Sequence, residues 1–431
     1  MLDTSFILAN QDIVREAIKN KGVSIDFDRF LQVDKEYRAL LSETETVRAE
    51  RNALAKQGKQ SDPAQITQAK ELKQRLQDLE AKLKELTLER DEMLWRMPNI
   101  PWEGAPIGPD ASSNKVIKQV GTPKTFSFEA KDHISLGLAL DILDLEKGAQ
   151  VAGFRGYYLK NEAVLLQQAI LLLGLQEMQK AGFTLMTPPT AIKGFALYGS
   201  GHFPFGKNEI FSLQSPGSET PADDREALYL AGTSEPALLS YYANETIPEV
   251  QLPKLLCGIS QCYREEIGSY GKDTKGLYRV REFVKVEQVV LCKPEAAEAE
   301  KWFTTMLDIS QKMLEHLDLP YQLIETSTGD MGAGKRRMVD IETWMPGRQG
   351  YGETHSSSNL SDWQARRLNI KTKGEGEGSE RQFVYTLNNT VIASPRILIA
   401  LLENHQQKDG SVKIPKALQK IVGLKELRPR A

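Results

Sequence analysis

The chain of 431 residues has only three cysteines, Cys257, Cys262 and Cys292, and no C-x-x-C pair. Three thiols cannot form a disulfide framework, so a reducing, cytosol-like compartment is expected and the protein is read as cytoplasmic. The four-residue gap between Cys257 and Cys262, with Cys292 far downstream, lacks the spacing of a structural zinc site, so no zinc is expected. No one sign of charge dominates: 55 Lys and Arg stand against 58 Asp and Glu, a net charge of −3. That excludes a globally basic nucleic-acid binder but leaves room for a local basic patch. Long hydrophobic runs are missing too. The most apolar stretch, Ala163 to Leu175, is interrupted by Gln167 and Gln168 and is too short to span a bilayer, so no membrane partner is expected. The N-terminal MLDTSFILANQDIVREAIK carries acidic residues and no basic flank before an apolar block, which argues against a signal or transit peptide. No G-x-G-x-x-G or Walker loop is present, which disfavours a Rossmann or P-loop domain. No internal repeat is evident.

With 40% apolar and 26% charged residues, the composition suits a folded chain with a sizeable core. At roughly 150 residues per domain, two or three domains are expected. Residues from about 27 to 97 differ from the rest. Val33, Tyr37, Leu40, Thr44, Val47, Arg51 and Leu54 recur at alternating spacings of four and three, as do Leu72, Leu76, Leu79, Leu83, Leu86, Arg90, Met93 and Met97. Such spacing makes one stripe per helix, and two stripes can zip together. GKQSDP (Gly58 to Pro63) breaks the pattern between them, so a long antiparallel α-helical coiled-coil hairpin is predicted. Its tip is basic: Arg48, Arg51, Lys56, Lys59, Lys70, Lys73 and Arg75 face only Glu50, Asp62 and Glu71. That excess fits a phosphate backbone, and it fits equally a solvated helical face.

After a Pro/Gly-rich linker from Met97 to Asp110 the pattern turns to mixed α and β. Helical stretches are read near 131–146, 162–181, 295–317 and 394–406, and strand-like runs at 255–264 and 279–291. They do not alternate regularly, so the fold class is α+β, an antiparallel β-sheet flanked by helices. GEGEGS (Gly374 to Ser379) and SPGSETPADD (Ser215 to Asp224) read as exposed loops. The segment QCYREEIGSYGKDTKGLYRVREFVKVEQVV puts Arg264 and Glu266 at the end of one strand and Phe283, Lys285 and Glu287 on the next. Alternate side chains of a hairpin share a face, so this unit can offer a cation, a carboxylate and an aromatic ring over one platform. Alone, an R-x-E on a strand is a weak signal and usually a structural ion pair. Glu353, three residues before the Ser356 hydroxyl, could share a Mg²⁺, which favours oxygen ligands, or simply sit in a solvated loop. Arg396, in the first turn of a helix opening near Ser394 and Pro395, suits a polyphosphate, though it is equally an ordinary surface arginine. No Ser-His-Asp or Cys-His set is evident, so catalysis by positioning and electrostatics is expected.

Taken in order, these segments resemble the bacterial-type seryl-tRNA synthetases, a class II family, over essentially the full chain. Motif 1 is similar to GFTLMTPPTAI (Gly182 to Ile192), the T-x-E triplet to Thr233, Ser234 and Glu235, and motif 2 to CYREEIGSYGKDTKGLYRVREFVKVE. DIETWMP (Asp340 to Pro346), ETHSSSN (Glu353 to Asn359), DWQARR (Asp362 to Arg367) and Arg396 with ILIALLENHQ complete the series. The resemblance implies a tRNA-binding domain over 1–110, carrying the arm at about 27–97, and a class II catalytic domain over 111–431. It implies activation of L-serine with ATP and transfer to the terminal adenosine of tRNA(Ser), and of tRNA(Sec) where present. It assigns catalysis to Arg264, Arg396 and Glu353. Arg264 would bridge the serine carboxylate and the α-phosphate, Glu266 would accept from the adenine amino group, Phe283 would stack on the ring, and Arg396 would hold the γ-phosphate side. Glu265, Val280, Thr354 and His355 would line the nucleotide site, and Glu353 and Ser356 would hold Mg²⁺. Thr233 and Glu235 would hold the serine amino group, with Ser234 also in the serine site, while Glu287, Asn388 and Thr390 surround its hydroxyl. A homodimer packing through motif 1 and an arm reading the long variable arm of tRNA are also implied.

The chain departs from the family pattern at several places. His355 and Ser357 stand where Ser and Cys are usual, Arg281 and Glu282 where His-Gln precedes Phe, and Ser234 and Thr390 where Ala and Ser are usual; GSGHFP (Gly199 to Pro204) also differs. A catalytically inactive tRNA-binding paralogue is therefore the alternative. A carrier-protein ligase is disfavoured because such relatives lack the helical arm, and a coiled-coil scaffold leaves everything after the first hundred or so residues unexplained.

Overall fold

The computed structural model describes residues 1–56, 63–214, 217, 221, 223–266, 276–376 and 378–430. The turn expected at Gly58 to Asp62, with Lys59, lies outside them, as do Gly268 and Gly271 of motif 2 and part of the Ser215–Asp224 loop. The chain divides into two compact units, Met1–Pro98 and Asn99–Ala431.

In the first unit the two stripes become α1 (Phe27–Lys56) and α2 (Pro63–Arg96). Asp26 caps α1 by accepting from the Arg29 N–H at 2.9 Å, and α2 opens on Pro63, whose missing N–H costs nothing in a first turn. Ion pairs link early residues of one helix to late residues of the other: Arg29 to Glu89, Asp34 to Arg90, Glu43 to Arg75 and Arg48 to Glu80, each at 2.8 Å. The helices are therefore antiparallel. Val47, Leu76 and Leu79 are buried between them, with Leu40 and Leu72 packed against this cluster.

The linker was expected to belong with the arm, ending at Asp110. Residues from Asn99 onward instead pack with the second unit. The Asn99 amide donates to the carbonyls of Gly334 (3.1 Å) and Leu360 (2.9 Å), and Thr328 N–H donates to the Pro106 carbonyl at 2.9 Å. Buried backbone and amide groups need partners, and the sheet region supplies them.

The second unit is built on an eight-stranded sheet. Its elements in chain order are β1 (Lys115–Val120), α3 (Glu162–Lys180), β2 (Thr184–Met186), β3 (Lys254–Tyr263), β4 (Glu282–Cys292), α4 (Ala296–His316), β5 (Tyr321–Glu325), β6 (Arg337–Met345), β7 (Gly350–Ser361), α5 (Trp363–Leu368), β8 (Tyr385–Ser394) and α6 (Arg396–His405). The strand order is β1-β5-β6-β7-β8-β4-β3-β2, antiparallel throughout except for the edge strand β2, which runs parallel to β3. Along β4 the side chains alternate. Val284, Val286 and Val290 face the main core, whose helical side includes Leu166 and Ile170 of α3 and Phe303 and Met306 of α4. Phe283, Lys285 and Glu287 face the other way. Gln288, on the core face, is buried with its amide donating to the Met306 carbonyl at 3.0 Å.

The helix expected near 131–146 divides into His133–Ala139 and Leu145–Ala152, because Asp141 takes a left-handed φ of 54° and a two-residue strand follows. All three cysteines are buried strand residues. Among the described residues, no helix is long and apolar enough to cross a membrane.

Candidate active site

On the face of the sheet opposite α3 and α4, β4, β7 and β8 wall a cavity of about 260 Å³, closed by the end of β3, the start of α6 and the loops before β4 and β6. It gathers Thr233, Glu235, Arg264, Glu266, Val280, Phe283, Glu287, Glu353, Thr354, His355, Ser356, Asn388, Thr390 and Arg396. These positions span more than 160 residues of sequence. Two register shifts make the convergence work. In β7 a bulge lies where Ile341 pairs His355 but Glu342 pairs Glu353. Strict alternation would put Glu353 and Ser356 on opposite faces, and the extra residue brings both to the cavity. In β8 a second shift separates the pairs Val286–Ile392 and Glu287–Thr390.

At one end of the cavity, Arg396 donates Nε to the Tyr278 carbonyl (3.1 Å) and an Nη to the Glu353 carbonyl (2.9 Å), and lies 3.5 Å from the Glu353 carboxylate. Its guanidinium stacks over the Tyr278 ring at 4.5 Å. The Arg264 guanidinium lies over Phe283 at 5.3 Å, with Nε toward the Gly232 carbonyl at 3.4 Å. Glu266 is held by Arg155 at 3.0 Å and Arg279 at 3.5 Å. At the other end sit two carboxylates. The Glu235 Oε1 accepts from Gln364 (2.7 Å) and Asn388 (2.8 Å), while the Glu287 Oε2 meets the Lys285 ammonium at 2.7 Å and the Thr390 hydroxyl at 3.2 Å. Burial pushes both carboxyls above the usual carboxylate range.

His355 is buried between two partners. Its Nε2 donates to the Val391 carbonyl at 3.1 Å and its Nδ1 accepts from the Thr354 hydroxyl at 2.9 Å. Burial lowers its pKa to about 4, so it stands neutral. Two expected site residues do not line the cavity. The Ser234 hydroxyl turns to the Gly258 carbonyl at 3.5 Å, and Glu265 pairs with Arg281 at 3.3 Å. The cavity also takes in residues given no role from sequence: His202, Tyr278, Arg279, Lys285, Lys335 and Met338. Lys285 had a usable signal, since it alternates between Phe283 and Glu287. His202 and Lys335 come from loops, where no periodicity marks a face. His202 accepts from or donates to the Ser200 hydroxyl at 2.9 Å, and burial beside Arg264 lowers its pKa to about 3.

On the arm, the cations split. Arg48 and Arg75 are used in the cross-helix pairs with Glu80 and Glu43, whereas Lys56, Lys70 and Lys73 are exposed and in no ion pair among the described residues.

Residues 218–405, which carry most of this cavity with Arg264 just beyond β3 and Arg396 opening α6, match the class II core domain of the Gly, His, Pro, Ser and Thr tRNA synthetases, so the second unit is a class II aminoacyl-tRNA synthetase core. Residues 1–101 match the seryl-tRNA synthetase N-terminal domain. The chain belongs to the seryl-tRNA synthetase family. It is 41% identical to the serine–tRNA ligase of Deinococcus radiodurans and 38% identical to that of Treponema denticola, covering 99% and 97% of this chain and 99% and 98% of theirs. The crystal structure of seryl-tRNA synthetase from Pyrococcus horikoshii complexed with ATP superposes with a TM-score of 0.89 at 34% identity over the whole of both chains. A Giardia lamblia prolyl-tRNA synthetase, at 20% identity and a TM-score of 0.58 over 68% of this chain and 57% of its own, shares the fold.

Proposed function

We infer that this chain activates L-serine with ATP, releasing pyrophosphate, and then transfers the seryl group from seryl-adenylate to the 3′-terminal adenosine of tRNA(Ser). The observation that carries the reading is the pairing of full-length family membership with a cavity that gathers both arginines and the buried carboxylates. Attack of the serine carboxylate on the α-phosphorus builds charge on phosphoryl oxygens, and no side-chain nucleophile is needed. Arg264 meets the serine carboxylate and α-phosphate, and Arg396 meets the γ-phosphate side. Both are pre-placed by carbonyl partners, so the charge stabilisation costs little reorganisation. Glu266, braced by Arg155 and Arg279, takes the adenine amino group, and Phe283 stacks on the ring beside Val280 and Thr354. Glu235 with Thr233 takes the serine ammonium. Glu287, Asn388 and Thr390 surround the hydroxyl, so alanine would leave buried polar groups unpaired and bind orders of magnitude more weakly.

The donor set suits Mg²⁺. Glu353 and Ser356 offer hard oxygens on one wall, and among the described residues no three His, Cys, Asp or Glu converge as a fuller cage would need. Two protein oxygens leave the other positions to phosphate and water, as Mg²⁺ prefers, and the ion supplies positive charge to the polyphosphate when bound. A homodimer through Gly182–Ile192 is supported by Leu185 on β2 and Val164, Leu165 and Leu172 on α3, all exposed apolar side chains. The arm, as part of an N-terminal tRNA-binding domain, supplies Lys56, Lys70 and Lys73 to the tRNA backbone. Reduced buried cysteines fit a cytoplasmic setting.

Serine-dependent ATP–pyrophosphate exchange tests the reading, with threonine, alanine and glycine as comparisons. Exchange with serine alone is expected, together with its abolition in Arg264→Ala. A folded protein that binds tRNA yet shows no exchange would favour the inactive paralogue.

A further inference from the structure

The amino-acid end of the cavity depends on a residue outside it. Glu235 opens the helix Glu235–Ser240, and its Oε1 takes two amide donors: Asn388 Nδ2 from β8 at 2.8 Å and Gln364 Nε2 from α5 at 2.7 Å. Asn388 lines the cavity, but Gln364 does not. Gln364 is 1% exposed, and every hydrogen-bonding group of its amide is engaged. Nε2 also donates to the Ser200 carbonyl at 2.8 Å, and Oε1 accepts from the Thr386 hydroxyl at 2.7 Å. A primary amide offers two donor hydrogens at one end and an acceptor at the other. The Ser200 carbonyl demands a donor and Thr386 supplies one, so together they fix which end of the amide points at Glu235. The nitrogen end faces the carboxylate. With Oε1 occupied by two N–H groups, Oε2 is the oxygen left for a ligand.

We propose that Gln364 is a positioning residue for amino-acid recognition: anchored by Thr386 and Ser200, it locks the Glu235 carboxylate so that the second oxygen meets the substrate ammonium. The proposal rests on the serine-activation reading given above. The two amide donors act on charge as well as direction. Burial disfavours the ionised carboxylate, and Gln364 and Asn388, with the nearby Lys335 and Lys285, oppose that effect. Removing Gln364 therefore loosens the carboxylate and weakens its negative charge, both of which lower affinity for an ammonium. Neither change reaches the nucleotide end of the cavity.

The test compares Gln364→Met, which keeps volume and removes the donors, with Thr386→Val and Thr386→Ser, using KM values for serine and for ATP from pyrophosphate exchange, alongside thermal melting. Losing a hydrogen bond to a charged group should raise the serine KM of Gln364→Met by about tenfold or more, with the ATP KM within about twofold of wild type. Thr386→Val, which frees the amide to turn, should raise the serine KM several-fold, and Thr386→Ser should bring it back. A wild-type serine KM in Gln364→Met, or equal rises in both KM values, would overturn the proposal. Should Gln364→Met fail to fold, the Thr386 pair decides: equal serine KM values in the Val and Ser variants overturn it. If the unmodified protein shows no serine-dependent exchange, the activation reading has failed first, and the inference falls with it.

Discussion

Glu235 and Glu287 show what recognition of a small polar substrate costs the fold. Burial raises the pKa of both; Gln364, Lys335, Lys285 and Asn388 oppose the rise at Glu235, and Lys285 and Thr390 oppose it at Glu287, where the Glu235 charge adds to it. Arg264 and His202 share the same cavity. A carboxyl whose folded pKa is raised binds its proton more tightly in the folded state than in the unfolded chain. Its stability contribution is therefore greatest below the unfolded carboxyl pKa and is lost as pH rises through the raised folded value. Glu235→Gln keeps the shape and still accepts from Gln364 and Asn388, but it buries no charge. We expect this variant to melt no lower than the parent at pH 8, to lose less stability between pH 5 and pH 8, and to lose serine activation. Melting curves at the two pH values check it, and a large drop in melting temperature at pH 8 would refute the account. At this scale the sequence marks Glu235, Phe283 and Glu287 by motif and alternation. It gives no role to Gln364, although DWQARR contains it, or to Lys335, because only the tertiary fold brings them beside these carboxylates.

At the scale of elements, irregularities place the chemistry. Alternation read from sequence places Phe283, Lys285 and Glu287 on one face of β4, and the structure agrees. The same rule sends Glu353 and Ser356 to opposite faces of β7, and only the bulge opposite Ile341 and Glu342 reunites them. A bulge leaves no clear composition signal, so that part of the site is legible only through family motifs. The arm tells a similar story. Its apolar stripes predict both helices, but Arg90, read as a stripe position, is not apolar. Asp34, fully buried on α1, explains it by pairing with Arg90 at 2.8 Å and Arg38 at 2.9 Å, while the Arg90 guanidinium also stacks on Tyr37 at 4.6 Å. Removing one partner of a buried pair strands the other charge. Arg90→Ala should therefore destabilise the first unit by about 3 kcal/mol, read as faster amide exchange across Phe27–Lys56 and Pro63–Arg96 with the eight-stranded sheet unchanged. Unchanged protection in both helices would show that Arg38 alone satisfies Asp34.

For the whole molecule, the net charge of −3 conceals a division of labour. In the catalytic cavity Arg264 and Arg396 are tied to carbonyls and Arg279 and Lys285 to carboxylates, whereas Lys56, Lys70 and Lys73 of the arm are exposed and in no ion pair among the described residues. Charge totals alone hide this difference, and the sequence count of seven arm cations overstates it, since Arg48 and Arg75 serve the hairpin itself. If the arm's purpose is to hold a phosphate backbone, the exposed lysines should matter only when tRNA is present. Replacing Lys56, Lys70 and Lys73 with Gln should raise the KM for tRNA in charging by about tenfold or more at 150 mM salt and make its salt dependence shallower, because fewer counterions are released on binding. Pyrophosphate exchange should stay at the parental rate, since adenylate formation involves no tRNA. Arg48→Gln with Arg75→Gln should behave differently, weakening the hairpin before it weakens tRNA contact. Equal losses of exchange and charging in the triple lysine variant would mean that the arm supports the catalytic unit's own folding or dynamics, and its basic tip would then lose its role as a tRNA contact.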